Sequence, residues 1–168
     1  MIGGQLHDSA AIERAIAGTD AVISVLGPKG KSAGLPISRG TQTIVDAMKR
    51  QAVRRLLAVA TPSAPDPADR FALPFALAKW LIRLLVRDAY DDLRATAGVV
   101  RNSNLDWTLA RVPMLADPKA GATVHAGYVG DGHLRLFSLS RNALADFLLA
   151  EATDPRWIGK APALSDKR

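Results

Sequence analysis

Residues 21–26 read AVISVL and residues 56–60 read LLAVA, and these two apolar runs decide the fold. Nearly continuous runs of aliphatic and β-branched residues are typical of strands covered on both faces, whereas half-exposed strands alternate with polar residues. Residues 105–111 predict a third strand, which ends at Val112-Pro113. The sequence therefore predicts at least three buried strands.

Helical segments separate these strands. Asp8-Ser9 is suited to cap a short first helix, and Ser38 is suited to cap a second one. A longer helical pattern covers residues 74–101, in two pieces that meet near residues 88–90. Strands that alternate with helices imply right-handed crossovers, and hence an α/β fold with a parallel sheet and helices packed on it.

The C-terminal third is less regular. Residues 123–129 and 134–137 flank Gly130-Asp131-Gly132, which predicts a hairpin or two short edge strands. Ser140 is suited to cap a last helix that runs through Ala152, and the residues after it show no clear regular pattern.

Composition narrows the function classes. The 168 residues fit a single domain over residues 1–168, and a hydrophobic content of 48% excludes a disordered chain. The absence of cysteine excludes disulfides, thiolate metal sites and a thiol nucleophile. The net charge of +6 comes from 22 basic residues interspersed with 16 acidic ones, so no nucleic-acid partner is predicted. Without an apolar segment of membrane-spanning length or a signal peptide, the expected location is the cytoplasm.

Ligands of such sheets bind beyond the carboxyl ends of the strands, where residues 27–34, 61–67 and 111–117 are expected. In the first loop, Lys29 and Lys31 supply positive charge, and the glycines allow backbone amides to approach an anion. The segment Gly30-Lys31-Ser32 resembles a P-loop, but Val25 stands where that motif needs glycine. A flexible loop and a loop beside a dinucleotide remain as alternatives.

Thr61 is the candidate catalytic residue, because its hydroxyl follows a buried strand directly. It could bond the carbonyl of a substrate or cofactor, or relay a proton. The alternative is a threonine that satisfies a neighbouring backbone group in a turn. Ser63 is a weaker candidate for the same role.

Other polar residues predict no site. The histidines His7, His125 and His133 lie in separate segments without ligand spacing, so they are interpreted as surface or satisfied side chains. The acidic pairs Asp66/Asp69 and Asp91/Asp92 are placed in a loop and on a helix surface, and no metal site is predicted.

Residues 79–87 combine basic and apolar side chains. Lys79, Arg83 and Arg87 recur every four residues, and the positions between them are apolar. The favoured interpretation is a helix packed on the sheet or on a subunit partner, with its basic stripe in water. The alternative is a helix that lies on an anionic membrane through Trp80.

Several motifs in order resemble those of one family. They are Gly4-Gln5-Leu6-His7-Asp8 for G-D-x-x-D, residues 17–23 for A-G-x-D-A-V-I, Leu26-Gly27 for the end of the next strand, and residues 105–113 for L-D-W-T-x-x-R-P. Over nearly the whole chain, the sequence resembles the NAD(P)H-binding, NmrA-like atypical short-chain dehydrogenases, which include flavin reductases of the biliverdin-reductase-B type. The resemblance implies a Rossmann-like three-layer fold.

The resemblance also implies which residues contact a dinucleotide. Leu26, Gly27, Pro28 and Lys29 would run past its adenosine and phosphate end. Gln5 and Leu6 would lie near the adenine, with Gln5 where relatives carry aspartate. Thr61 would lie beside the nicotinamide, which Pro113 and Met114 would border.

The sequence departs from the family in two further ways. It contains no G-x-x-G-x-x-G turn for the pyrophosphate, because Met1-Ile2 already corresponds to the end of the family's third strand. The resemblance therefore implies a sheet that is incomplete at its N-terminus, and leaves NADP and NAD both open as the cofactor. The Tyr-x-x-x-Lys pair has only the counterpart Tyr90-x-x-x-Arg94, and arginine stays protonated.

The sequence predicts two alternative functions. The first is an NAD(P)-dependent oxidoreductase that passes hydride from NAD(P)H to a small carbonyl or conjugated substrate. The second is a non-catalytic NmrA-like binding or regulatory module, or a truncated pseudoenzyme. An incomplete sheet leaves a hydrogen-bonding edge unpaired, so a homodimer is a further expectation.

Overall fold

The computed structural model describes residues 2–27, 34–85, 87–117, 121–135 and 139–167, with the backbone alone at residues 78, 79 and 82–85. Its helices are α1 (Ser9–Ile16), α2 (Pro36–Arg50), α3 (Leu73–Leu85), α4 (Arg87–Arg101) and α5 (Arg141–Thr153). Its strands are β1 (Ala21–Ser24), β2 (Arg55–Ala60), β3 (Asp106–Arg111), β4 (Leu115–Ala116), β5 (Val124–Gly127), β6 (Leu139–Ser140) and β7 (Ala163–Asp166).

The main sheet has the strand order β1-β2-β3-β7-β5. Strands β1, β2, β3 and β7 are parallel, and β5 runs antiparallel to β7. Ala60 lies opposite Arg111, so β2 and β3 end side by side. The small strands β4 and β6 pair separately. The predicted Rossmann-like α/β fold is confirmed.

Helices cover both faces of the sheet. On one face, α1, α2 and α4 pack over apolar side chains of β2 and β3, among them Leu56 and Leu109. On the other face, α5 packs over Leu57, Ala110 and Leu164. Successive residues of β2 and β3 therefore enter opposite cores, which explains their continuous apolar sequence.

Strand β1 differs from its prediction. It ends at Ser24, and it is less covered than expected, since Ile23 is 38% exposed and Val25 66% exposed. The reason is its place at the margin of the sheet, where no strand of the described ranges pairs with its outer edge.

The C-terminal prediction is also corrected. The segment without a clear pattern contains β7, which lies between β3 and β5. Ser165 and Asp166 are buried there, so polar residues interrupt the apolar run that marks the other central strands. The first of the two predicted strands contains β5, which pairs with β7 at the margin of the sheet and so agrees with the edge-strand alternative. Residues 136 and 137 of the second one lie outside the described residues.

The start of α2 is capped from a distance. The helix begins at Pro36, two residues before the predicted cap Ser38. The carboxylate of Asp92 on α4 accepts hydrogen bonds from the amides of Ile37 and Ser38, at 2.9 and 2.8 Å. Asp92 is thus buried, contrary to its predicted place on a helix surface. Sequence spacing could not reveal this cap, because Asp92 lies 55 residues after Ile37.

Among its described contacts, helix α3 packs mainly against α4 and not against a strand of the sheet. Leu73, Leu77, Trp80 and Leu81 are all exposed, at spacings that place them on one side of the helix. Packing of this exposed side on a subunit partner, the other part of the favoured interpretation, stays a prediction. Arg87 is exposed, whereas the side chains of Lys79 and Arg83 lie outside the described residues.

Candidate functional site

The carboxyl ends of β1, β2 and β3 bring three loops to one edge of the sheet. The amide of Val112 donates to the carbonyl of Ala60 at 2.8 Å, which holds the exits of β2 and β3 together. Ser24 of β1 lies opposite Ala58 of β2, so Leu26 follows at the level of this edge. The carboxyl ends of the three strands therefore lie at one edge of the sheet, as parallel pairing requires.

Thr61 is the first residue of the loop after β2, and it is half-buried. Its hydroxyl oxygen accepts a hydrogen bond of 3.4 Å from the amide of Ser63, the local turn contact that was the alternative interpretation. That contact does not use the hydroxyl hydrogen of Thr61, which stays able to donate. Ser63 itself is buried, so Thr61 is the better placed of the two candidates.

The other predicted contact residues have different surroundings. Pro113 is half-buried and Met114 is 69% exposed, directly after β3. Leu26 is half-buried and Gly27 exposed at the end of β1, whereas Pro28 and Lys29 lie outside the described residues. The P-loop-like residues 30–32 lie outside them too.

Gln5 and Leu6 precede α1. Gln5 is exposed, and Leu6 packs against α2 at Gly40, where an added Cβ would come within 3.0 Å of the leucine side chain. Because Gly40 belongs to the beginning of α2, these two residues lie on the side of the fold that carries the loop after β1.

A buried ion pair fixes the loop that Thr61 begins. Arg111 has no exposed side-chain surface, and its guanidinium donates to both carboxylate oxygens of Asp69, at 2.6 and 2.7 Å. It also donates to the carbonyls of Ala64 and Ala161, at 3.1 and 2.7 Å. Asp69 in turn accepts a 3.0 Å bond from the amide of Val129. We name this cluster the Arg111 clamp; it joins the end of β3 to the neighbouring loops.

The remaining predicted polar groups have structural partners. Asp66 pairs with Arg101 at 3.3 Å, and no group of metal-binding side chains occurs in the described parts of the chain. Tyr90 is 3% exposed on α4, with the guanidinium of Arg94 at 5.8 Å from its ring centroid. A side chain with so little exposed surface offers little to a ligand, so Tyr90 is not assigned to the candidate site.

Sequence reasoning missed one arrangement. His125 and His133, which lie in separate segments, have ring centroids 5.3 Å apart. Nε2 of His125 lies 2.9 Å from the carboxylate of Asp131. The sequence feature that could have predicted this contact is the Gly130-Asp131-Gly132 turn between the two histidines, since a tight turn brings its flanking residues together.

The described residues fit part of a dinucleotide. The exposed Met114 and the half-buried Pro113 and Thr61 offer an apolar surface with one hydroxyl, which suits a nicotinamide ring. The sequence has no glycine-rich turn to hold a pyrophosphate. The residues that fit are those expected at the nicotinamide end of the dinucleotide.

Solved structures share this fold. A short-chain dehydrogenase/reductase from Veillonella parvula, in complex with NADP, is 18% identical, with a TM-score of 0.75; the match covers 96% of this chain and 70% of that one. An oxidoreductase from Lactococcus lactis is 20% identical, with a TM-score of 0.72 and coverages of 95% and 68%. ChuY, an anaerobillin reductase from Escherichia coli O157:H7, is 14% identical, with a TM-score of 0.72 and coverages of 97% and 73%. At these identities the likeness establishes the fold.

Two further findings concern the curated proteins and the length of the helices. A search of curated proteins returned no match. Within the described ranges, no helix has both the length and the apolar character needed to cross a bilayer.

The sequence itself matches a family described as NAD(P)H-binding over residues 1–155, nearly the whole chain. This match agrees with the sheet order, the loop edge and the short-chain dehydrogenase/reductase among the solved structures. The chain therefore belongs to this NAD(P)H-binding family.

Proposed function

We propose that this protein is an NAD(P)-dependent oxidoreductase that transfers hydride to a small carbonyl or conjugated substrate. The observation that carries the proposal is the half-buried hydroxyl of Thr61 at the loop edge of a chain that belongs to an NAD(P)H-binding family. NADP and NAD are both proposed as cofactors.

Each candidate residue has a role in this proposal. Thr61 donates its hydroxyl hydrogen to the carbonyl oxygen of the acceptor or of the nicotinamide carboxamide, and so orients it. Pro113 and Met114 shield one side of the ring from water. Leu26, Gly27, Pro28 and Lys29 run past the phosphates and the adenosine. A bound NAD(P)H would supply the hydride, so the protein has only to hold and orient the reactants.

Gln5 and Leu6 are proposed to border the adenine. Gln5 is uncharged where relatives carry aspartate, so it offers a donor and an acceptor to the adenosine. Leu6 packs on Gly40, which fixes the position of the segment that Gln5 occupies.

Fluorescence titration with NADPH and NADH tests the cofactor claim. We expect a saturable change with at least one of the two, and no saturable change at millimolar concentrations would contradict the proposal. Oxidation of the bound cofactor is then followed with small quinones and aldehydes as acceptors.

The Thr61→Val variant tests the role of the hydroxyl. Loss of one hydrogen bond to the reacting group should lower kcat/KM by about ten- to a hundredfold. The Thr61→Ser variant is the matched control and should restore most of the rate. Equal rates for the valine variant and the wild type would remove Thr61 from the mechanism.

A non-catalytic binding or regulatory module stays the second candidate function. It predicts saturable cofactor binding without oxidation by any acceptor. A homodimer also stays a prediction, which light scattering tests.

A further inference from the structure

A cavity lies beside the Gly130-Asp131-Gly132 turn, which follows β5 in the chain. Its volume is about 310 Å³, and it is lined by His125, Gly132, His133, Leu134, Arg135 and Lys167. None of the residues assigned above to cofactor or catalysis belongs to this lining.

Strand register places the cavity on the ligand-binding side of the sheet. Ala163 of β7 lies opposite Arg111, the last residue of β3, and Ser165 lies opposite His125. His125 thus stands two residues beyond the end of β3, about 7 Å further along the strand direction. Lys167 follows β7 directly, and its amide donates to the carbonyl of Thr123 at 2.7 Å. The cavity is therefore separated from the exit of β3 by the width of two strands.

The charge of the lining is positive. Arg135 and Lys167 are exposed, and no ion pair between described residues includes either of them. The imidazoles of His125 and His133 add ring nitrogens that can donate hydrogen bonds. The nearby carboxylate of Asp131 is already engaged, because it contacts His125 and accepts bonds from the amides of His133 and Leu134.

Three glycines beside the cavity allow Asp131 to approach His125. At Gly127 an added Cβ would collide with the carboxylate of Asp131, so only glycine leaves room for Asp131 to reach His125 across the strand. Gly130 and Gly132 have φ angles of +85° and +84°, which glycine adopts without strain. Although partial burial opposes it, the bonds from His125 and from the amides of His133 and Leu134 hold the pKa of Asp131 below its usual value. Asp131 therefore stays charged and orients the ring of His125.

We propose that this cavity binds the carboxylate or phosphate group of a small molecule. Arginine and lysine at the mouth supply the charge, and histidine nitrogens supply directed hydrogen bonds, the combination that recognises oxyanions. A metal ion fits less well, since the described residues hold no metal-binding group. The proposal does not depend on dinucleotide binding or on catalysis.

Binding is measured on the full chain without nucleotide, by titration with inorganic phosphate and with citrate. Side-chain NMR of the histidines reports on the site directly. We expect a saturable shift of the His125 and His133 signals with at least one anion and no equivalent shift for His7. Preference for phosphate or for citrate identifies the anion class, and either supports the proposal.

Variants assign the binding to the cavity. The double substitution Arg135→Gln and Lys167→Gln should weaken binding at least tenfold, since ~1.4 kcal/mol corresponds to a factor of ten. The control Arg156→Gln removes another exposed arginine, whose partner is Asp154 at 2.9 Å, and should leave the affinity unchanged. Thermal unfolding of each variant verifies that the fold is intact.

Gly127→Ala tests the orientation of His125 without removing a charge. By displacing Asp131 it should weaken binding and change the His125 signal while leaving that of His7 in place. The proposal is overturned if neither anion gives a saturable shift, if the control loses as much affinity as the double variant, or if zinc shifts both histidines and the anions do not.

Discussion

Two side-chain pairs, Arg111 with Asp69 and His125 with Asp131, differ in their burial. In the Arg111 clamp the arginine is fully buried and makes hydrogen bonds to three different residues. In the pair of His125 and Asp131, both side chains keep about a quarter of their surface exposed and lie beside a cavity. Burial thus separates a pair that holds loops together from a pair that faces a potential ligand.

The contrast shows that residue type and motif position are poor guides to role. Arg111 belongs to a family motif next to the candidate site, yet all its described hydrogen bonds go to the protein's own backbone and to Asp69. The histidines match no motif, yet they line a cavity.

The largest expected effect is that of Arg111→Gln. Removing the guanidinium leaves Asp69 charged and poorly solvated, so the free energy of unfolding should fall by about 3–5 kcal/mol. Urea denaturation of both proteins gives the difference. Asp69→Asn in the Arg111→Gln background should recover part of the loss, and a loss below about 1 kcal/mol in the single variant would show that the clamp is not structural.

Asp131→Asn should have an intermediate effect. The neutral side chain loses its charged bond to His125, which should cost about 1–2 kcal/mol at pH 7. Because the folded-state pKa of Asp131 is lowered, its contribution is complete above the unfolded pKa of about 4 and is lost as the pH falls through the lower folded value. The stability difference between the two proteins should therefore narrow below pH ~4. A difference that stays constant down to pH ~2 would assign the effect to something other than this carboxylate.

The smallest expected effect is that of His133→Gln combined with Arg135→Gln. Both residues are exposed, so the free energy of unfolding should change by less than about 0.5 kcal/mol. Thermal and urea unfolding measure it. If the free energy of unfolding fell as much as it does for Asp131→Asn, the residues that line the cavity would also stabilise the fold. The contrast between the Arg111 clamp and the pair of His125 and Asp131 would then be wrong.

The central part of the fold was predictable from sequence because it depends on local patterns. The apolar runs of β2 and β3 follow from burial, and the two-piece helix over residues 74–101 follows from periodicity; the structure confirms these elements. The predicted junction near residues 88–90 is too late, because α3 ends at Leu85 and α4 begins at Arg87. The common edge at which the strands end follows from parallel pairing alone.

The errors arise where distant segments meet. The cap of α2 comes from Asp92, and β7 is recognisable only through its neighbours β3 and β5. The exposure of Val25 and Trp80 depends on which segments pack beside them, and a local sequence pattern does not predict this. The same holds for the approach of His125 to His133, so the cavity was not foreseeable.

The position of β7 also constrains how the chain can fold. Strand β5 is made before β7, but its partner in the sheet is β7 and not the earlier strand β3. During synthesis, residues 124–127 therefore lack the sheet partner found among the described strands until residues 163–166 have left the ribosome. Pairing of this kind joins segments about 40 residues apart and is slow compared with local hairpin formation. Completion of the sheet at this margin, and with it the wall that carries His125, is thus a late event in folding.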